Sequence, residues 1–269
     1  MNETTNEVSL SRTGSLALAS GAFAHSFSTT DLLAVWERGQ QQQPVERALT
    51  MLGVAYPSAP RRTLALLSIG QRDASLIDLR EKLFGSQLTC LTDCPACGER
   101  LELSFNVTDI RASADVETAD LFLHRAGYEL RLRLPNSLDL LALVECADPA
   151  ERREKLFEQC VASVVHEGRT ESVTAIKDLP AEVVELALAR IAEADPQGDV
   201  EVDLNCPCCG NAWQTDFDIV SYLWAELHAW ATQMLREVHL LASTYGWSES
   251  DILTMSASRR RRYLEMVVE

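Results

Sequence analysis

At 269 residues and 46% hydrophobic content, the chain can build one large or two small domains around a sizeable core, which excludes an intrinsically disordered protein. Its 40 acidic side chains outweigh 24 basic ones and leave a formal net charge of −16, which disfavours general binding to nucleic acid or anionic membrane. No apolar run reaches the ~20 residues that span a bilayer, so a soluble or peripheral cytoplasmic protein is expected.

Residues 1–28 are rich in Ser, Thr, Ala and Gly without a sustained period and read as a flexible arm. Met1-Asn2-Glu3-Thr4 lacks a basic start, and Leu16 to Phe27 is broken by Ser, Gly and His, so no signal peptide is expected. Residues 29–87 form a helical region. Thr29-Thr30-Asp31 caps a helix that ends near Gly39, a second runs from Pro44 to Val54, and Tyr56 to Pro60 breaks it. Leu64 to Ile69 is apolar, Gly70 interrupts, and Asp73 to Gly85 reads as a capped helix burying Leu76, Leu79, Leu83 and Phe84.

Next comes Asp93-Cys94-Pro95-Ala96-Cys97-Gly98, followed by Leu101 to Val107, whose period of two predicts a strand. Residues 108–199 form an α+β segment. Leu121 to His124 and Tyr128 to Leu134, joined by Arg125-Ala126-Gly127, predict a β-hairpin. Pro135-Asn136-Ser137 caps one helix; Asp148-Pro149 starts another that runs through Phe157, Cys160 and Val161 to Val164. Pro180 at the first helical position opens a third. Asp199 to Leu204 leads a strand back to Cys206-Pro207-Cys208-Cys209-Gly210, and Trp213 to Ile219 alternates again. Residues 220–269 are helical, with a long helix to Tyr245, a stop at Gly246, a capping box at Ser248-Glu249-Ser250-Asp251, and a last helix from about Ser256.

The two Cys-Pro-x-Cys-Gly knuckles carry the chemistry. Two thiolates two residues apart can share one tetrahedral zinc, while Pro sets the turn and Gly takes the positive φ of the return. Each knuckle is half a site, so Cys94, Cys97, Cys206 and Cys209 are expected to hold one structural Zn²⁺ with no open position for catalysis. The pattern predicts a split zinc ribbon, residues 88–107 plus 200–219, in a mostly helical α+β fold; the metal would clamp the entry and exit of the inserted residues 108–199. Disulfides would need an oxidising compartment, and a thioredoxin-type pair would open a helix, whereas these knuckles precede strands. Cys90 and Cys208 are alternative ligands, and Cys146 and Cys160 read as core residues on helical faces.

No G-x-G-x-x-G, Walker, G-x-S-x-G or H-E-x-x-H pattern occurs and no catalytic carboxylate pair stands out, so no enzyme is expected. His228 and His239 read as packing or surface residues rather than a metal pair. Arg259, Arg260, Arg261 and Arg262 form the basic run of an acidic chain, read either as a solvated helix face or as a docking surface for an acidic partner. Trp224, Trp230 and Trp247 divide between core and interface in the same way.

The order of these signals resembles a known family. The run from Leu64 to Gly85 leads into the first knuckle and Leu101-Glu102-Leu103; much later come the second knuckle, Tyr245-Gly246-Trp247-Ser248-Glu249-Ser250-Asp251-Ile252-Leu253, and Arg261-Arg262-Tyr263-Leu264. Together they are similar, over roughly residues 60–269, to the T4-family baseplate hub assembly chaperones of contractile phage tails and contractile injection systems. The resemblance implies a non-enzymatic role in binding a baseplate hub or spike protein during assembly, in the cytoplasm or built into the particle. Trp224, Trp230, Trp247 and Arg259 to Arg262 would then dock the partner, with no nucleic acid and no membrane involved. The alternative is a zinc-ribbon nucleic-acid-binding or regulatory protein.

Overall fold

A computed structural model describes residues 27–112, 121–170 and 173–268. The expected N-terminal arm lies almost wholly outside them.

The first helices form as their caps dictate. α1 (Thr29–Gly39) opens on a capping box, with Asp31 N–H on the Ser28 hydroxyl and Ser28 N–H on the Asp31 carboxylate. α2 (Pro44–Ala55) opens on proline, and a short α3 (Arg61–Ala65) follows the proline-rich break. α4 (Ile69–Phe84) corrects the expected start at Asp73: Ser68 and Gln71 make a capping box, so the helix begins at Ile69 and takes Gly70 into its first turn. α9 (Ile219–Tyr245), capped by Asp218 and stopped by Gly246 at φ 70°, crosses this group. Leu49, Leu52, Leu64, Leu76 and Leu223 are fully buried between these helices. Arg80, 2% exposed, grips both Glu226 carboxylate oxygens at 2.6 and 2.8 Å, fixing α4 to α9 through a paired buried charge.

Three small antiparallel sheets complete the mixed α/β architecture. β1 (Gln87–Asp93) pairs with β2 (Arg100–Asn106), and one helical turn, α5 (Val107–Ile110), follows. β3 (Leu121–Arg125) and β4 (Tyr128–Leu132) form the expected hairpin; Ala126 and Gly127, at φ 52° and 79°, turn with the hand that suits twisted strands. α6 (Ser137–Ala142) is capped by Asn136, and α7 (Pro149–Cys160) opens on Asp148-Pro149. The helix expected through Val164 ends at Cys160, because β5 (Val161–His166) joins β4 instead. A register shift at Arg131/Leu132 turns both Val161 and Val164 inward, so two residues three apart imitate a helical face. β6 (Arg169–Thr170) closes this sheet, and α8 (Ala181–Ala194), capped by Pro180, covers it over Leu130, Leu132, Phe157 and Val183. β7 (Glu201–Asn205) and β8 (Ala212–Asp216) form the third sheet.

Beyond the middle of α9, α10 (Glu249–Leu253) and α11 (Ala257–Val268) pack back on its second half around Val238, Leu241 and Ile252. Trp247 stacks on Tyr245 at 4.5 Å and meets Tyr263 edge-on at 4.7 Å. Among the described residues no helix is long and apolar enough to cross a membrane.

Candidate metal centre

The two knuckles are one structural unit made twice. In each, the first cysteine's N–H binds a carbonyl beyond the second cysteine, Cys94 to Glu99 at 2.9 Å and Cys206 to Asn211 at 2.8 Å. In each, glycine at φ 72° returns its N–H to that cysteine's carbonyl, Gly98 to Cys94 and Gly210 to Cys206, both at 2.9 Å. The correspondence extends without a gap along both hairpins: Leu88 answers Val200, Leu101 answers Trp213, and Phe105 answers Phe217. Asn106 and Asp218 both cap the helix that follows. This ungapped repeat is a sequence signal that the alternation of the strands alone does not reveal.

The hairpins meet without a ladder between them, and the knuckle thiols touch reciprocally, the first of each against the second of the other. Equivalent rings meet there, Phe105 edge-on to Phe217 at 5.6 Å, and Leu101, Leu103 and Trp213 pack against Cys94 and Cys206. Four sulfurs converge. Cys94 Sγ lies 3.8 Å from Cys209 Sγ, Cys97 Sγ 3.7 Å from Cys206 Sγ, and all four lie within 4.8 Å of one another. A tetrahedron with metal–sulfur bonds of about 2.3 Å has edges of about 3.8 Å, whereas a disulfide brings sulfurs to about 2.05 Å. All eight cysteines are free thiols.

The donor set fits a cation. Burial raises the Cys94 thiol, but N–H groups of Cys97 and Ala96 aimed at its sulfur outweigh this and hold it at about 7. The Glu99 N–H favours a thiolate at Cys97, yet the thiols of Cys209, Cys206 and Cys94 crowd it and push it up to about 12. One sulfur ionises readily while Cys97 and Cys209 resist, a conflict that a divalent ion resolves. Cys94, Cys97, Cys206 and Cys209 could therefore hold a metal ion. Cys208 is exposed at the knuckle tip and Cys90 lies on β1; neither joins the cluster. Cys160 is buried at the end of α7, its thiol pushed up to about 12 by burial, while Cys146 sits in the loop after α6 rather than on a helix.

A second junction lies apart from the thiols. Asp195 Oδ2 accepts the Gly70 N–H at 2.8 Å, and Ile69 N–H donates to the Pro135 carbonyl at 3.1 Å. Gln197 Nε2 donates to the Ile110 carbonyl at 3.0 Å while its Oε1 accepts the Ala112 N–H at 2.7 Å. Asp195 and Pro135 thus hold the inserted segment to the start of α4, and Gln197 ties its two ends together, by hydrogen bonds independent of the thiols and additional to the expected metal clamp.

The expected docking residues are placed differently from one another. Trp224 lies across Gly39, with the Arg47 guanidinium 4.4 Å over its ring. Trp230 is half-buried among α1 and α9 residues, and Trp247 is stacked as described. All three rings are engaged inside the chain. Arg260 is buried, its Nε 2.7 Å from Glu237, whereas Arg259, Arg261 and Arg262 are exposed. His228 accepts the Trp36 indole N–H at 3.0 Å on Nδ1, a packing role.

A family model described as T4 bacteriophage base plate protein matches residues 29–224. The match includes both knuckles and the segment between them, and it stops inside α9, short of Tyr245 to Leu253 and the arginine run. No curated protein and no solved structure gives a significant match.

Proposed function

The chain belongs to the T4 bacteriophage base plate protein family, and from that premise we propose that it is a non-enzymatic assembly factor or structural component of a contractile tail or injection-system baseplate. Its partner on this reading is a hub or spike protein, met during assembly in the producing cell. Cys94, Cys97, Cys206 and Cys209 bind one structural Zn²⁺ as a split ribbon, because four thiolates close the coordination shell and leave no place for a substrate. The family match carries the role; the sulfur tetrahedron supports the metal.

The docking surface narrows to the exposed face of α11. Arg259 and Arg262, three apart, share that face with Met266, which is 59% exposed, and Arg261 flanks it. Guanidinium groups beside an exposed methionine suit an acidic protein surface with some apolar area. A nucleic-acid role finds no support at the ribbon, whose second hairpin exposes Glu201, Asp203 and Asp216. Co-purification with the tail proteins expressed beside it tests the proposal: Arg259→Glu with Arg261→Glu is expected to reduce recovery of a hub or spike protein at least tenfold. Undiminished recovery refutes α11 as the docking face.

A further inference from the structure

The duplicated hairpin supplies its own control. On the outer side of the first ladder, Thr89 faces Ser104, Leu91 faces Glu102, and Asp93 faces Arg100, the last an ion pair at 2.9 Å. The same places in the second hold Glu201 facing Asp216, Asp203 facing Gln214, and Asn205 facing Ala212. Glu201, Asp203 and Asp216 are exposed, and no lysine or arginine occurs between Arg190 and Arg236. Like charges directly opposite on a ladder destabilise it. The first hairpin places an uncharged pair where Glu201 faces Asp216 and carries a single unpaired carboxylate, Glu102, on the same backbone, so the fold does not require this acidic face.

The complementary surface is at the other end of α9. Arg259, Arg261 and Arg262 are exposed on α11, which is anchored by Arg260 to Glu237, while β8 runs into the Asp218 cap. At 1.5 Å per residue, the helix between Asp218 and Glu237 separates the two surfaces by roughly 30 Å. Fields from exposed charges decay over about 8 Å at physiological salt. Within one chain the two surfaces do not neutralise each other.

We infer that they meet between chains: α11 of one copy docks through Arg259, Arg261 and Arg262 on the Glu201, Asp203 and Asp216 face of a second copy. The contact joins two different surfaces, so it closes either reciprocally in a twofold dimer or head to tail in a ring or row. The inference goes beyond the docking role proposed for α11: it gives the same face a second partner and stands or falls separately.

Light scattering on the purified full-length chain tests it. At about 50 mM salt, where charges are weakly screened, the mass is expected to be at least twice the 29.8 kDa of the monomer; at about 0.5 M salt it returns to monomer. Arg259→Glu/Arg262→Glu and Glu201→Lys/Asp216→Lys are each expected to be monomeric at low salt with unchanged circular dichroism. Mixing the two variants restores the larger species, because the native α11 of one variant then meets the native acidic face of the other, and the two inverted surfaces are again opposite in sign. A monomeric wild type at low salt, association insensitive to salt, or a mixture that stays monomeric overturns the inference. A monomer that still captures a tail protein overturns self-association alone and leaves the proposed function standing; a self-associating chain that captures none does the reverse.

Discussion

Asp195 is 5% exposed against the first turn of α4, with Oδ2 on the Gly70 N–H and no donor within hydrogen-bonding distance of Oδ1. Burial raises its pKa; the Gly70 N–H, the Ser68 hydroxyl and the Arg72 guanidinium pull the other way without prevailing. Asp73, beside it, is also raised, by burial first and by the Asp218 and Asp195 charges among its neighbours. A carboxyl whose folded pKa exceeds its unfolded value stabilises fully below the unfolded value and loses that contribution as pH climbs through the folded one. Asp195→Asn keeps an acceptor for Gly70 without a charge to bury. The variant should therefore gain in melting temperature relative to the parent as pH rises from about 4 to 7, values bracketing the ordinary carboxylate and neutrality; a constant or shrinking difference sinks the assignment. Nothing around Asp195 in the sequence announces this, because Gly70 and Ser68 reach it only through the tertiary fold. The four clustered cysteines were legible because a metal pair needs a fixed local spacing, and their knuckle geometry is set by adjacent residues.

Helix α4 shows where local propensity misleads. Glycine inside a helix usually costs about 1 kcal/mol relative to alanine, so Gly70 reads as a breaker and Gly70→Ala as a stabilising change. The structure reverses the sign: a Cβ at Gly70 would lie 2.1 Å from Asp195 Oδ1 and 2.9 Å from the backbone N of Gly198. Gly70→Ala is expected to cost about 1–3 kcal/mol by overpacking, lowering the melting temperature by roughly 2–4 °C per kcal/mol. A rise in melting temperature would show that the junction yields freely. The β3–β4 hairpin, α9 and the α10 capping box were readable because their turns and caps are chosen by neighbouring residues, whereas the cap of α1 falls on Ser28, one residue before the expected Thr29. The β5 strand was not, since its inward valines straddle a register shift that only pairing with β4 creates.

At the scale of the whole molecule, a metal at the thiols would hold little beyond the two knuckles. The two knuckle hairpins share no ladder, so their tips meet only through four sulfurs and the small apolar group of Leu101, Leu103 and Trp213. The inserted segment is fastened separately, through Asp195 and Pro135 to the start of α4, with Gln197 joining its own two ends, and its own core lies under α8. The α1–α2–α4–α9 core likewise contains no thiol of the cluster. Metal loss should thus be local. The purified chain is expected to carry one zinc, and a chelator, or Cys94→Ser with Cys206→Ser, to remove it. Amide exchange should then quicken by at least tenfold in residues 93–100 and 205–212, while α4, α9 and β3 to β5 keep their protection and helical circular dichroism is unchanged. Collapse of that protection across the helices on chelation would mean that the thiol site carries global stability and that the Asp195–Gln197 junction cannot hold the segment unaided. Zinc-free protein with slow exchange in both knuckles would instead show that the apolar contact between Leu101, Leu103 and Trp213 suffices to hold the hairpins, and that the converging thiols serve no metal.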